Sequence, residues 1–154
     1  MNIRKDYIEK TKDYLKDLRK KINRKAILNE EIKILKSRQK INGGIDFREL
    51  DIKSAPSTKD ISDLIITCDA QITLREAQID NIEHDIRMYE LYSRDLDVIE
   101  KKVLDLRYLE SKKRKSFAKI AIDVKYSRSS VAKTHDRAIE KLAFYLYGDE
   151  AIYL

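Results

Sequence analysis

The chain of 154 residues has little of several residue types, and each shortage narrows what the protein can be. Its single cysteine, Cys68, cannot form an intrachain disulfide, which fits a reducing compartment. Three glycines and one proline leave few helix breakers, so the composition favours long helices. Gly43 and Gly44 are not followed by the Lys-Ser/Thr pair of a phosphate-binding loop.

Candidate catalytic and metal-binding residues are also few. The two histidines, His84 and His135, lie far apart in the sequence, and neither has the set of neighbouring ligands that a metal site needs. Cys68 falls on an apolar helical seam, where an inert thiol is expected. We therefore predict that the protein is not an enzyme and uses no metal and no cofactor.

Long apolar runs are missing as well. No stretch approaches the roughly 18 consecutive apolar residues of a membrane span. The first residues also lack the apolar core of a secretory signal. These absences predict a cytoplasmic protein with no membrane partner.

Charged residues make up 39% of the chain and are unevenly distributed, although the net charge is only +6. Residues 1–40 carry +8, residues 41–92 carry −6 and residues 93–154 carry +4. A basic and an acidic segment can pair as helices whose outer faces are solvated. We favour this interpretation of residues 1–40 over the alternative, a basic arm on DNA.

The N-terminal part predicts two long helices. Residues 3–40 carry a narrow coiled-coil seam, and its phase changes between Ile22 and Leu28. Residues 41–57 interrupt the helix with Asn42-Gly43-Gly44 and Pro56, and we interpret them as a connection. An antiparallel hairpin is the simplest arrangement, and pairing of each seam with a second chain is the alternative.

The second helix, predicted at residues 58–92, has the most regular pattern in the chain. Apolar residues recur at alternating spacings of four and three, interrupted only by Arg75. The positions of this seam are Ile61, Ile65, Cys68, Ile72, Arg75, Ile79, Ile82, Ile86 and Tyr89. Ser57 or Thr58 can cap the start of the helix. A third helix is predicted at residues 93–110, capped by Ser93 or Asp95.

The C-terminal third predicts a helix-turn-helix. Phe117, Ile120, Ala121 and Val124 lie on one face of a short helix, and a second helix spans residues 127–147. Ser116 and Ser127 are placed to cap these two helices, and Gly148 to end the second. In this motif the second helix enters the DNA major groove.

Basic and hydroxyl side chains around this motif form the predicted DNA-binding set. From Arg107 to Lys141 there are 11 Lys and Arg against 4 Asp and Glu, as expected of a phosphate-contacting surface. Arg, Lys, Ser and Thr can donate to phosphates or to base edges. The set comprises Lys112, Lys113, Arg114, Lys115, Ser127, Arg128, Ser129, Ser130, Lys133, Thr134 and Arg137.

The run VLDLRYLESKKRKSFAKIAIDVKYSRSSVAKTHDRAIEKL resembles the DNA-binding region 4 of bacterial sigma factors. The YSR sequence, with Val131, His135 and Ala138-Ile139, is more similar still to phage-encoded late-gene regulators of the RinA/ArpU type. The resemblance covers about the last third of the chain and implies a bacterial host. Lys125 departs from it, because the family often has glycine in the turn, where positive φ is favoured.

These observations together predict an all-α protein with two domains. Residues 1–92 would form a long helical hairpin that dimerises the protein or docks on RNA polymerase. Residues 93–154 would form a sigma-region-4-like helix-turn-helix domain that binds double-stranded DNA. The predicted function is sequence-specific transcription regulation, and the alternative is a DNA-packaging oligomer resembling a small terminase subunit. A coiled-coil adaptor that binds only protein is the third possibility.

Overall fold

The computed structural model describes residues 2–43, 58–110 and 112–153, and over these residues the protein belongs to the all-α class, as predicted. A π-helical turn, Asp105–Leu109, continues the third helix, and a 3-10 turn, Gly148–Ala151, follows the fifth. The five α-helices are α1 (Lys5–Gly43), α2 (Thr58–Tyr92), α3 (Val98–Leu104), α4 (Phe117–Val124) and α5 (Arg128–Tyr147).

The chain forms two compact units. The first combines Met1–Asn23 with His84–Leu154, and the second comprises Arg24–Glu83. The first unit is therefore discontinuous in sequence, with the second inserted between its two parts. The predicted domains are a hairpin over residues 1–92 and a DNA-binding domain over residues 93–154. Their boundary differs from those of the two compact units, and this functional division stays a prediction.

In the second unit α1 and α2 run antiparallel within one chain. The Lys25 ammonium lies 3.2 Å from the Glu83 carboxylate, and the Arg75 guanidinium lies 2.6 Å from that of Glu31. Further along α1, the Gln39 amide bonds the Asp69 carboxylate. Residues further along α1 therefore contact residues earlier in α2, as in an antiparallel pair of helices.

The predicted seams are buried in this unit. Arg75, the one polar residue of the α2 seam, is tolerated because its guanidinium bonds Glu31 and the Gln71 carbonyl. Cys68 is buried, as expected of an inert thiol. The buried aliphatic residues are Leu28, Ile32 and Leu35 on α1 and Ile61, Ile72, Ile79 and Ile82 on α2.

Many basic residues of α1 are paired, which favours the solvated-helix interpretation over the basic arm. Lys12, Lys16, Lys20 and Lys33 each lie within 4.0 Å of a carboxylate three residues earlier on α1. The Lys21 ammonium lies 2.8 Å from Asp85 on α2. Such exposed pairs add only about 0–1 kcal/mol each to the free energy of unfolding, as expected of a solvated helix face.

The core of the first unit joins all of its long elements. Leu15 and Leu18 of α1 pack with Tyr89 of α2, Leu104 of α3 and Leu142 of α5. Each of these five side chains is almost completely buried. A buried aliphatic side chain stabilises a fold by roughly 1.5–3 kcal/mol, so residues 1–23 contribute substantially to this unit.

The predicted start of the third helix was wrong. Residues 93–97 form a turn and bend, and α3 begins at Val98. Neither Ser93 nor Asp95 caps the helix, since the Ser93 hydroxyl is buried and donates to the Tyr89 carbonyl at 2.7 Å. Asp97 occupies the N-cap position without a side-chain capping bond. The Ser93 side chain therefore bonds the last turn of α2 and not the first turn of α3.

The first helix is longer than predicted at its C-terminal end. It continues to Gly43, so the first residues of the predicted connection are helical. The remainder of that connection, residues 44–57 with Pro56 and the candidate cap Ser57, lies outside the described residues.

The two ends of the described chain pair with each other. The Arg4 amide donates to the Ala151 carbonyl at 2.7 Å, and the Tyr153 amide donates to that of Asn2 at 3.0 Å. These bonds flank an isolated antiparallel bridge between Ile3 and Ile152. The apolar C-terminal end therefore docks on the body of the first unit.

Candidate nucleic-acid interface

A tight turn joins α4 to α5. The Ser116 hydroxyl accepts from the Lys119 amide at 3.3 Å and caps α4, as predicted. Lys125 ends α4 in the left-handed region, with φ 60° and ψ 39°, and its amide donates to the Ala121 carbonyl. The turn thus has the positive φ that glycine adopts most easily, although the residue is lysine.

Ser127 fixes the start of α5. Its backbone is extended and its hydroxyl accepts from the Ser130 amide at 3.1 Å, which confirms the predicted cap. The same hydroxyl lies 2.8 Å from that of Ser130 and 3.2 Å from that of Ser129. Three hydroxyls therefore lie at an exposed helix N-terminus, where that of Ser127 bonds the other two and the backbone N–H groups favour anions.

A small apolar core holds the helices around this turn in place. Ile120 and Ala121 of α4 pack against Val131 of α5, with Val103 and Leu106 from the α3 segment behind them. Ile120 and Val103 are fully buried. The first turn of α5 is therefore carried on a packed support, so its exposed side chains have a defined position.

The exposed surface of α5 carries most of the predicted contact residues. Ser129, Lys133 and Arg137 are exposed at successive spacings of four, so they form one line along the helix. Ser130 lies beside this line, and Arg128 is exposed at the first helical position. The structure brings these five residues together at one end of α5.

Two acidic residues limit the basic surface to the first half of α5. Asp136 is exposed and Glu140 is half-buried, both beyond Lys133 along the helix. A carboxylate disfavours approach to phosphates, since like charges repel. The electrostatics therefore favour an anion near residues 127–133.

Thr134, also among the predicted contact residues, faces the protein interior. It is 7% exposed, and its hydroxyl donates to the Ser130 carbonyl at 2.8 Å. The Arg137 guanidinium lies 3.4 Å from the same hydroxyl. Thr134 is thus placed to position Arg137, and its side chain is not available to a ligand on the exposed face.

The basic loop before α4 supplies a second group of cations. Lys112, Lys113 and Arg114 are exposed. Lys115 differs, because it is half-buried and its ammonium pairs with the Asp123 carboxylate. Three of the four predicted loop residues therefore project outward, whereas Lys115 fastens the loop to α4.

Arg107 holds the other side of this loop, and no sequence pattern singles this residue out. Its guanidinium donates to the Lys115 carbonyl at 2.8 Å and lies 4.0 Å from the centre of the Phe117 ring. Burial lowers the pKa of Arg107, and the nearby charge of Arg114 lowers it further. The partners are eight and ten residues away, so only the folded loop reveals this contact.

His135, between the contact residues on α5, is a buried packing residue. Its Nε2 atom lies 2.8 Å from the Tyr108 hydroxyl and its Nδ1 atom 3.0 Å from the Asp136 carboxylate. The Phe117 ring contacts it edge-on, with ring centres 5.0 Å apart. Burial lowers the pKa of His135, and Asp136 opposes this shift. The imidazole therefore has its hydrogen-bonding atoms occupied inside the protein.

No family model, curated protein or solved structure matches the chain. Within the described ranges, no helix is both long and apolar enough to cross a membrane. The same residues contain no group of three or more side chains that could hold a metal ion.

Proposed function

We propose that the protein is a sequence-specific, DNA-binding transcription regulator encoded by a phage or prophage, in which α4 and α5 act as a helix-turn-helix. The observation that carries this proposal is the exposed line of Ser129, Lys133 and Arg137 beside the capped N-terminus of α5. A helix of this kind fits the major groove, where its first residues meet base edges.

Base contacts are assigned to the first half of α5. Arg128 and Lys133 would donate to guanine acceptors, and Ser129 and Ser130 would bond bases of either kind. These four side chains are exposed and precede the acidic residues of the helix. Thr134 is left out of the contact surface because it is buried, and it keeps a positioning role for Arg137.

Phosphate contacts are assigned to both edges of the surface. Lys112, Lys113 and Arg114 in the basic loop would lie along one strand, and Ser127 and Arg137 would position α5. Lys115 acts through the loop, since its ammonium pairs with Asp123. Each neutralised phosphate releases counterions, so affinity should fall steeply with salt.

The partners implied by this function are double-stranded DNA, RNA polymerase and a second copy of the chain. The helical hairpin provides a long surface for a protein partner, whereas the α4–α5 region provides the basic one. The site would lie in the bacterial cytoplasm, where promoters are accessible.

The test is binding of the full chain to random-sequence duplex and to the DNA flanking its own gene, across a salt series. A steep salt dependence with strong preference for one fragment is the expected result. A steep slope without preference, together with a ring-sized mass, would favour the packaging oligomer. An absence of binding at low salt would overturn the proposal and favour a protein-binding adaptor.

A further inference from the structure

One side of the antiparallel pair carries exposed aliphatic residues that the predicted seams do not include. They belong to the second unit and are Ile27, Ile34, Leu64 and Leu74, here called the Ile34 face. Ile34 is 56% exposed and Leu74 is 58% exposed. Single exposed apolar residues are normal on a protein surface, but a group that shares one face points to an interaction surface.

The heptad pattern places all four residues on the same side. With Ile32 at position a of α1, Ile27 and Ile34 occupy position c. With Ile65 and Ile72 at position a of α2, Leu64 occupies position g and Leu74 position c. Positions c and g lie on the same side of the a/d seam. In an antiparallel pair the c and g sides of the two helices form one face, so all four residues belong to that face.

Ile34 and Leu74 also lie at about the same height along the helices. Glu31 pairs with Arg75, and Gln39 bonds Asp69 about two turns beyond, so Ile34 falls between these two levels. The centre of the face is therefore an isoleucine on a basic helix beside a leucine on an acidic one.

Charge is segregated between the two helices of this unit. Residues 24–43 contain six Lys and Arg against two Asp and Glu, whereas residues 58–83 contain two against six. A complementary partner would present acidic residues to α1, basic residues to α2 and apolar residues to the Ile34 face. A second hairpin of the same sequence has this pattern.

We propose that the Ile34 face is the interface of a homodimer, in which two hairpins form a four-helix bundle about a two-fold axis parallel to the helices. This axis places the basic α1 of one chain against the acidic α2 of the other. An axis perpendicular to the helices would place α1 on α1 and oppose like charges. All neighbouring helices are then antiparallel, and Ile34 of one chain meets Leu74 of the other.

The inference rests on the self-association part of the proposed function and is independent of the assigned DNA contacts. In this bundle residues 24 and 83 of both chains leave at the same end, because the two-fold axis preserves the direction of each helix.

Sedimentation equilibrium of the full chain at micromolar concentration tests the interface. The wild-type chain should be a dimer, and Ile34→Glu should weaken dimerisation by roughly tenfold or more, because it brings a carboxylate to an apolar, acidic contact. Leu74→Lys should do the same against the basic α1. Circular dichroism should show unchanged helix content, since both side chains are exposed.

Ile66→Glu is the matched control. Ile66 is 64% exposed in the same unit, but it occupies position b of α2, on the opposite edge of the seam. This variant should remain dimeric. A monomeric wild-type chain, a ring, or equal dissociation by Ile66→Glu and Ile34→Glu would overturn the proposal.

Cysteine crosslinking distinguishes the two possible axes. In a Cys68→Ala background, chains with Ile34→Cys mixed with chains with Leu74→Cys should form a disulfide between chains on mild oxidation. Chains with Ile34→Cys alone should crosslink only if α1 faces α1, which would overturn the assigned axis. A monomer that binds duplex DNA would refute this inference alone, and a dimer without DNA binding would refute the proposed function alone.

Discussion

The Tyr108 hydroxyl lies 2.8 Å from Nε2 of His135, and both side chains are buried. This contact joins the π-helical turn after α3 to the middle of α5. In the tautomer that donates Nδ1–H to Asp136, Nε2 accepts the proton of the Tyr108 hydroxyl. The position of the proposed recognition helix therefore depends on a buried polar pair as well as on apolar packing.

The pH dependence of stability should report this histidine. Burial lowers the pKa of His135 below its ordinary value of 6.5, so the unfolded chain binds a proton more readily than the folded one. Its contribution to the free energy of unfolding should be complete above about pH 6.5. This contribution of His135 should be lost as the pH falls below about 6.5 and through the lowered pKa of the folded state. Urea unfolding at pH 7.5 and 5.5 measures the difference.

The control for this prediction is His84, which is exposed on α2. His84→Gln should keep the loss of stability at pH 5.5, whereas His135→Gln should reduce it. The groups facing His135 are Tyr108, Phe117 and Asp136, with Arg107 and Lys12 near enough to add positive charge. An unchanged pH dependence in His135→Gln would contradict the assignment.

Lys125→Gly should stabilise the protein. Lys125 has φ 60°, which costs a side-chain-bearing residue about 1 kcal/mol relative to glycine. Some of this gain is offset because glycine makes the unfolded chain more flexible, so an increase of about 0.5–1 kcal/mol is expected. Lys119→Gly, on the exposed face of α4, should instead destabilise by about 1 kcal/mol. Thermal unfolding of the two variants should move in opposite directions.

Gly148→Ala should destabilise the protein although there is space for a methyl group. No atom lies within 4 Å of the position that a Cβ would occupy, but φ is 65° and ψ is −144°. L-residues avoid this region, so the expected loss is about 1–3 kcal/mol. D-alanine, introduced by ligation of a synthetic C-terminal segment, should be tolerated because its preferred angles are the mirror image. Equal losses for both enantiomers would indicate a steric cause.

Lys133→Ala should weaken binding to the preferred DNA fragment by about 1–3 kcal/mol if the ammonium meets a base, with a smaller effect on random duplex. Arg114→Ala should weaken binding to both DNAs alike and reduce the salt slope by about 1, as expected of a phosphate contact. Lys33→Ala is the control, since this exposed lysine pairs with Glu30 in the second unit. Fluorescence anisotropy across a salt series measures all three.

Local patterns predicted the elements that local interactions determine. The start of α4 and both ends of α5 follow from Ser116, Ser127 and Gly148, because caps act on backbone groups within a few residues. The bounds of α2 follow from its regular four-three spacing, which Arg75 interrupts in residue type but not in phase. Exposure of Lys112 to Arg114 and of Lys133 also agrees with the predicted surface.

Contacts between distant residues account for what the sequence did not reveal. Glu100 looks like a solvated helix residue, yet it is 1% exposed because Lys141, 41 positions later, bonds its carboxylate at 2.8 Å. Thr134 was predicted as a DNA contact because a hydroxyl can bond phosphates or base edges, but it turns inward to bond the Ser130 carbonyl. The Ile34 face is visible only when the register of both helices is known.

The discontinuous first unit has a practical consequence for dissecting the protein. Residues 93–154 alone would lack Leu15, Leu18 and Tyr89, so excision at the predicted boundary would leave Leu104 and Leu142 uncovered. A more suitable reduced protein keeps 1–23 and 84–154 and replaces the inserted hairpin by a short engineered turn, because Lys21 and Asp85 already lie 2.8 Å apart near that junction. The hairpin then becomes an exchangeable module, and the proposed dimer interface can be removed while the surface assigned to DNA is kept.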